Sequence, residues 1–223
     1  MALILPKHKA IFLHVPKTGG LFIEHYLRSV TEVRTIGNRH SHMRMIGRPA
    51  YDNFFKFCFI RRPAEWYKSY WQMKMGETPI DQPRRKDHWY PLGVGHDRGG
   101  IHQLHHPTWD IDPYCGSDDL NEFVRNCHSL GGYLNRLYDS FIGWGPAKCD
   151  FVGDFKYLID DLETVFDHIG LRYDKNTLRH KEKYNPSRER QTLDPSLEKD
   201  IDELENLYFR VEKSSIYSNN QLV

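Results

Sequence analysis

Apolar residues follow two rhythms along this chain, and the alternation between them predicts the architecture. Ala10 to Val15 is a short, nearly unbroken apolar run that predicts a buried strand. Ile23, Tyr26, Leu27 and Val30 then recur at i, i+3, i+4 and i+7, the stripe of an amphipathic helix. Phe54 to Ile60 predicts a second buried strand. Pro63 suits the first turn of the helix that follows, and Trp66, Tyr67, Tyr70 and Trp71 share one broad face of it. From Gly76 to Gly116 the periodicity fails while glycine, proline, histidine and tryptophan accumulate. A loop of that length is functional or disordered, and its aromatic content argues against disorder. Helical patterning returns near Leu120 to Val124, and a short strand is predicted at Asp150 to Gly153. Leu158, Ile159, Leu162, Val165, Phe166 and Ile169 then stripe a helix that Gly170 terminates. Asp194 and Pro195 open a last helix with Leu197, Ile201, Leu204, Tyr208 and Val211 inward. Strands alternating with helices predict an α/β domain with a central, mainly parallel sheet, and there is no internal repeat. The length predicts one domain over residues 1–223, with an irregular insertion at about 76–117.

Charge narrows the choice of partners. The 31 basic and 30 acidic side chains nearly cancel, so no global field marks a nucleic-acid or membrane binder, and any anion site has to be local. Pro6, Lys7, His8 and Lys9 interrupt the apolar start before a signal-peptide core forms. No window approaches the roughly 20 apolar residues of a membrane span. Cys58, Cys115, Cys127 and Cys149 form no CxxC pair, which predicts four reduced thiols and a cytoplasmic protein.

Two junctions carry candidate chemistry. Between the first strand and first helix stands PKTGG, residues 16–20. A glycine turn at a helix N-terminus offers unpaired N–H groups and the positive end of the helix dipole to an oxyanion, and Lys17 and Thr18 add a charge and a hydroxyl. The residue order differs from the nucleoside-triphosphate loop GxxxxGK[ST], because the lysine precedes the glycines. Taken alone, the segment also reads as a flexible turn. The second junction, FCFIRRPAEWYKSYW, brings Arg61 and Arg62 to a strand end, with Ser69 about two turns into the helix. Alone, that arginine pair also reads as solvated surface charge.

Together the two junctions resemble the sulfotransferases that use 3′-phosphoadenosine-5′-phosphosulfate (PAPS), particularly their carbohydrate and bacterial branch, with its PKTGGT[ST] loop and RxPxxxxxS pattern. RHSHMRMI, GGYLNRLY and DFVGDFKYLIDDLETVF extend the likeness to about Gly170. The resemblance implies a three-layer domain like that of the P-loop NTPases. It implies transfer of a sulfuryl group from PAPS to a hydroxyl of a carbohydrate or small polar acceptor, without a metal. Lys17 is then both catalytic and cofactor-binding, against the sulfuryl group. Thr18, Gly19 and Gly20 hold the 5′-phosphate, and Arg61 and Ser69 hold the 3′-phosphate. Leu21 and Phe22 continue the cofactor loop where the family has small hydroxyl residues, so they contribute backbone donors only. Trp66 replaces a frequent arginine, and Lys156 a frequent glutamate.

The register against the family makes His40 the catalytic base, with His42 close enough to compete for the role. His88, His96, His102, His105 and His106, near Asp97 and Asp110, match no zinc spacing. Trp89, Tyr90, Trp109 and Tyr114 suit stacking on an acceptor or ordinary packing of the insertion. Among Arg179, Lys181, Lys183, Arg188 and Arg190, the resemblance makes Arg188 or Arg190 a phosphate cap, while the charge run also reads as solvated surface. Two alternatives stand beside the sulfotransferase reading. One is a nucleotide phosphotransferase with an atypical phosphate loop, although no carboxylate ends the second core strand where Mg²⁺ needs one. The other is a PAPS-binding protein without turnover.

Overall fold

The computed structural model describes residues 2–36, 49–76, 90–91, 104–105, 113–143, 148–180, 191–205 and 208. The described residues group into two compact units. One is drawn from Met1–Arg62, Leu134–Pro186 and Leu207–Val223, the other from Pro63–Tyr133 and Ser187–Asn206. Most of the expected insertion at 76–117 lies outside the described residues.

The first unit is built on a five-stranded sheet. Its strands are β1 (Ala2–Leu5), β2 (Ala10–Leu13), β3 (Arg34–Ile36), β4 (Phe55–Ile60) and β7 (Phe151–Asp154), in the order β3-β1-β2-β4-β7. β2, β4 and β7 run parallel, whereas β1 is antiparallel to both β2 and β3. The sheet is therefore mixed, with β3, β2, β4 and β7 running the same way and β1 reversed among them; the class, α/β, is as expected. The reversed strand is Ala2–Leu5. Pro6–His8 forms a single 3₁₀ turn, Lys9 closes it at φ 47°, and the chain folds straight back into β2. The residues that break the N-terminal apolar run make a hairpin, and the run itself is a fully buried strand.

Both faces of the sheet are covered, because β2 is buried at every position and β1 likewise. On one face Leu3, Leu5, Phe12, Phe57 and Phe59 meet α1 (Gly20–Val30) and α5 (Leu158–His168) through Phe22, Ile23, Tyr26, Leu27, Leu162, Val165 and Phe166. Tyr26 stacks on Phe166 with ring centroids 5.8 Å apart, an arrangement that adds about 0.5–1.5 kcal/mol to simple area burial. Two further helices belong here, α4 (Tyr133–Ile142), from Leu134 onward, and the short α6 (Lys175–His180). The sequence patterning did not predict α4, α6, β1 or β3. Gly170 takes φ 64° two residues beyond the end of α5, the left-handed stop the sequence predicts.

The second unit packs α2 (Pro63–Gly76), α3 (Leu120–Leu130) and α7 (Pro195–Leu204) together, and contains the two-residue strands β5 (Tyr90–Pro91) and β6 (Leu104–His105). Its core is aromatic. Trp66, Tyr67, Tyr70 and Trp71 are all buried, Trp66 stacks on Tyr70 at 5.1 Å, and Tyr70 stacks on Phe123 of α3. Trp71 donates its indole N–H to the Ser117 carbonyl. Leu197 and Ile201 of α7 point inward as expected, but Leu204 is exposed, since the helix ends there at Glu205. All four cysteines are buried free thiols.

Candidate functional site

Register places the site. Leu13 of β2 pairs with Cys58, and Ile60 at the end of β4 pairs with Asp154 at the end of β7. The residues that follow these carboxyl ends are the Pro16–Gly19 turn, Arg61 and Phe155. They come together there, where open α/β sheets place their ligands. Arg61 Nη1 lies 3.5 Å from the Lys17 carbonyl oxygen, and the guanidinium sits 4.4 Å from the centroid of the Phe155 ring. A half-buried guanidinium over an aromatic face is attracted to the ring quadrupole by about 0.5–2 kcal/mol and loses rotational freedom before any ligand arrives. Arg61 is also held by its backbone. The Tyr138 hydroxyl of α4 accepts from the Arg61 N–H at 3.0 Å and donates to the Arg61 carbonyl at 2.6 Å.

The turn itself is tightly constrained. Lys17 has φ 66°, a left-handed conformation that side-chain-bearing residues rarely adopt and that clusters at functional sites. Gly19, the N-cap of α1, has φ 80°, and a Cβ there would lie 2.9 Å from Leu158 Cδ2 and 3.0 Å from Phe155 Cε2. A Cβ on Gly20 would overlap the buried His14 imidazole. The two glycines therefore let the turn press against β7's continuation on one side and His14 on the other. No side chain caps α1, and its first turn carries no acid. The N–H groups of Gly20, Leu21 and Phe22 have no acceptor within the helix and lie at the positive end of its dipole.

Thr18 does something other than present its hydroxyl. It is fully buried, and its Oγ1 donates to the Val15 carbonyl at 2.9 Å, tying the turn to the end of β2. Phe22 turns its ring into the core, stacked toward Tyr26, so only its backbone belongs to the site. Lys17, Thr18, Gly19, Gly20, Leu21, Phe22 and Arg61 are thus assembled within the first unit. Ser69 belongs to the second unit, buried on α2. His40, His42, Arg188 and Arg190 lie outside the described residues, as do His88, His96, His102, His106, Asp97, Asp110, Trp89 and Trp109. Tyr114 is described and strongly exposed.

Two carboxylates stand next to the site. Asp154 ends β7, and its Oδ1 accepts from the Lys156 N–H at 2.9 Å, capping the turn that carries Phe155. Asp161, in the first turn of α5, accepts the Asp154 N–H at 2.7 Å. Burial pushes the Asp161 carboxyl up to about 6, against that hydrogen bond, and the nearby Asp154 and Asp160 charges push the same way as burial. Among the described residues no group of three or more His, Cys, Asp or Glu side chains is placed to hold a metal, and no helix is long and apolar enough to cross a membrane.

Sequence reasoning did not single out Phe155 and Tyr138. Phe155 was within reach as an aromatic residue just beyond a predicted strand. Tyr138 was not, since its role depends on a contact 77 residues away in sequence. No family model, no curated protein and no solved structure matches this chain.

Proposed function

We propose that this protein is a PAPS-dependent sulfotransferase acting on a hydroxyl of a carbohydrate or small polar acceptor. The observation that carries the reading is the uncapped N-terminus of α1, with Lys17 at its mouth and Arg61 fixed beside the Lys17 carbonyl. Backbone N–H groups, a helix dipole and two cations suit a multiply charged phosphate ester. PAPS supplies the sulfuryl group and a phosphate leaving group. Lys17 holds its ammonium where negative charge grows as the bond to the leaving oxygen breaks. The backbone of residues 19–22 binds the 5′-phosphate, and Thr18 keeps that backbone in place through Val15. Arg61 binds the 3′-phosphate. Ser69 is assigned to the same phosphate, and His40 or His42 to the acceptor proton, on the resemblance alone.

Asp154 favours the phosphotransferase alternative to the extent that it is a carboxylate ending a core strand, the third. Its Oδ1 is already engaged by the Lys156 N–H. The two readings separate on nucleotide preference. Adenosine 3′,5′-bisphosphate should stabilise the fold far more than adenosine 5′-monophosphate, because only the former offers Arg61 a phosphate. At 100 times its dissociation constant a ligand adds about 2.7 kcal/mol, or roughly 5 to 11 °C in Tm for a chain of this size. Arg61→Ala should remove most of the difference between the two nucleotides. Equal shifts in the parent protein would sink the PAPS assignment.

A further inference from the structure

We propose that Tyr138 is a positioning residue for Arg61, fixing where the 3′-phosphate is read; the inference rests on the sulfotransferase reading above. The parallel ladder of β4 with β7 ends at the pair Ile60 and Asp154, so Arg61 is the first residue of this strand beyond the register. A backbone that has just left a sheet normally turns to water or varies its direction. Here the Tyr138 hydroxyl takes the place of a ladder partner. It accepts the Arg61 N–H at 3.0 Å and donates to the Arg61 carbonyl at 2.6 Å, which uses a phenol in both of its hydrogen-bonding roles on one residue. Tyr138 is itself fully buried on α4, next to the buried Phe141 and Ile142, so its hydroxyl is held rigidly.

This clamp fixes the direction in which the Arg61 side chain leaves the backbone. The guanidinium also packs on the Phe155 ring at 4.4 Å and lies 3.5 Å from the Lys17 carbonyl oxygen. Neither holds the Cα in place. A cation on an extended side chain reads one phosphate among several positions only if its root is fixed, because a shift of about 1 Å in a positioned group erodes its effect severely. Tyr138 therefore acts on nucleotide selectivity while touching no nucleotide. Its removal should weaken what Arg61 adds to recognition and leave binding at the α1 N-terminus unchanged.

The test is Tyr138→Phe, which keeps the ring and removes only the hydroxyl, compared with Arg61→Ala and the double variant. Isothermal titration should show affinity for adenosine 3′,5′-bisphosphate falling about five- to tenfold, the effect of losing one well-made hydrogen-bonded anchor. Affinity for adenosine 5′-monophosphate should stay within about twofold, so the ratio between the two nucleotides collapses. In the Arg61→Ala background the same change should no longer alter the ratio. In the parent protein, hydrogen exchange at the Arg61 amide should be slow, a readout that does not depend on the variant folding. A ratio unchanged by Tyr138→Phe, an equal loss for both nucleotides, or fast exchange at Arg61 in the parent would each overturn the assignment to Tyr138 and leave the sulfotransferase reading intact. A parent protein that does not distinguish the two nucleotides would overturn that reading and this inference with it.

Discussion

The N-termini of α1 and α2 begin alike, each following directly on a buried parallel strand and a short basic junction, yet they end up chemically opposite. At α2, Pro63 removes one N–H, the Ala64 N–H donates to the buried Asp202 carboxylate at 2.9 Å, and Glu65 stands in the first turn. At α1 there is neither a capping side chain nor an acid, and a glycine at φ 80° fills the cap. A helix end that recruits its own carboxylates is complete within its unit, and one left with unpaired donors beside two cations is suited to an anion from outside. The same division runs through the surroundings. In the second unit, Tyr67 donates to the buried Glu205 at 2.6 Å, and burial, with Glu205 adding to it, drives the Tyr67 phenol far above its ordinary range. In the first unit, the turn stores strain at Lys17 and uses internal bonds such as Thr18 to Val15 to keep it.

The largest break in this contrast should come from Lys17→Ala. If the lysine works on charge developed during transfer, turnover should fall by about 10²-fold or more while nucleotide affinity falls less. Turnover within about threefold of the parent would remove Lys17 from the chemistry. Lys17→Gly sharpens the point, because glycine adopts φ 66° freely. It should lose as much turnover as the alanine variant yet be more stable than it by about 1 kcal/mol in urea titration. Equal stabilities would mean that the left-handed turn carries no strain.

Next in size is Asp202→Ala, at the completed helix end. It removes the acceptor of the Ala64 N–H and should lower stability by about 1–3 kcal/mol. A loss within about 0.5 kcal/mol, the range of ordinary surface changes, would show that α2 does not depend on its internal anion.

The smallest effect concerns Asp161, beside the α1 site. With its folded value near 6 and an ordinary unfolded value of 3.8, the native state holds the extra proton between them. Its contribution to stability is therefore greatest below pH 3.8 and is lost as pH rises through about 6. Asp161→Asn keeps an oxygen for the Asp154 N–H and cannot ionise. Its urea midpoint relative to the parent should thus rise between pH 4 and pH 7. A difference independent of pH would refute burial of a charge at this position.

Much of the scaffold was readable in advance because it rests on local periodicity. The i, i+3, i+4 stripe of α1 and α5, the apolar runs of β2 and β4, and the Asp194 cap of α7 are all properties of a few neighbouring residues, and each lies where its pattern says. β1 was missed because four residues show too little pattern, and their identity as a strand depends on pairing with β2 and β3. The candidate site divides the same way. Lys17, Gly19, Gly20 and Arg61 announce themselves by residue type at strand-to-helix junctions, so sequence alone placed a cation and a glycine turn at one helix N-terminus and an arginine at the end of a second strand.

Only tertiary structure decided what those residues do with one another. Thr18 spends its hydroxyl inward, Phe22 faces the core, Phe155 lies under Arg61, and Tyr138 grips the Arg61 backbone from far along the chain. Local sequence determines which groups are available, since propensity and charge belong to the residue. The direction in which each group points is set by register and close packing, which join segments whose separation along the chain carries no pattern to read.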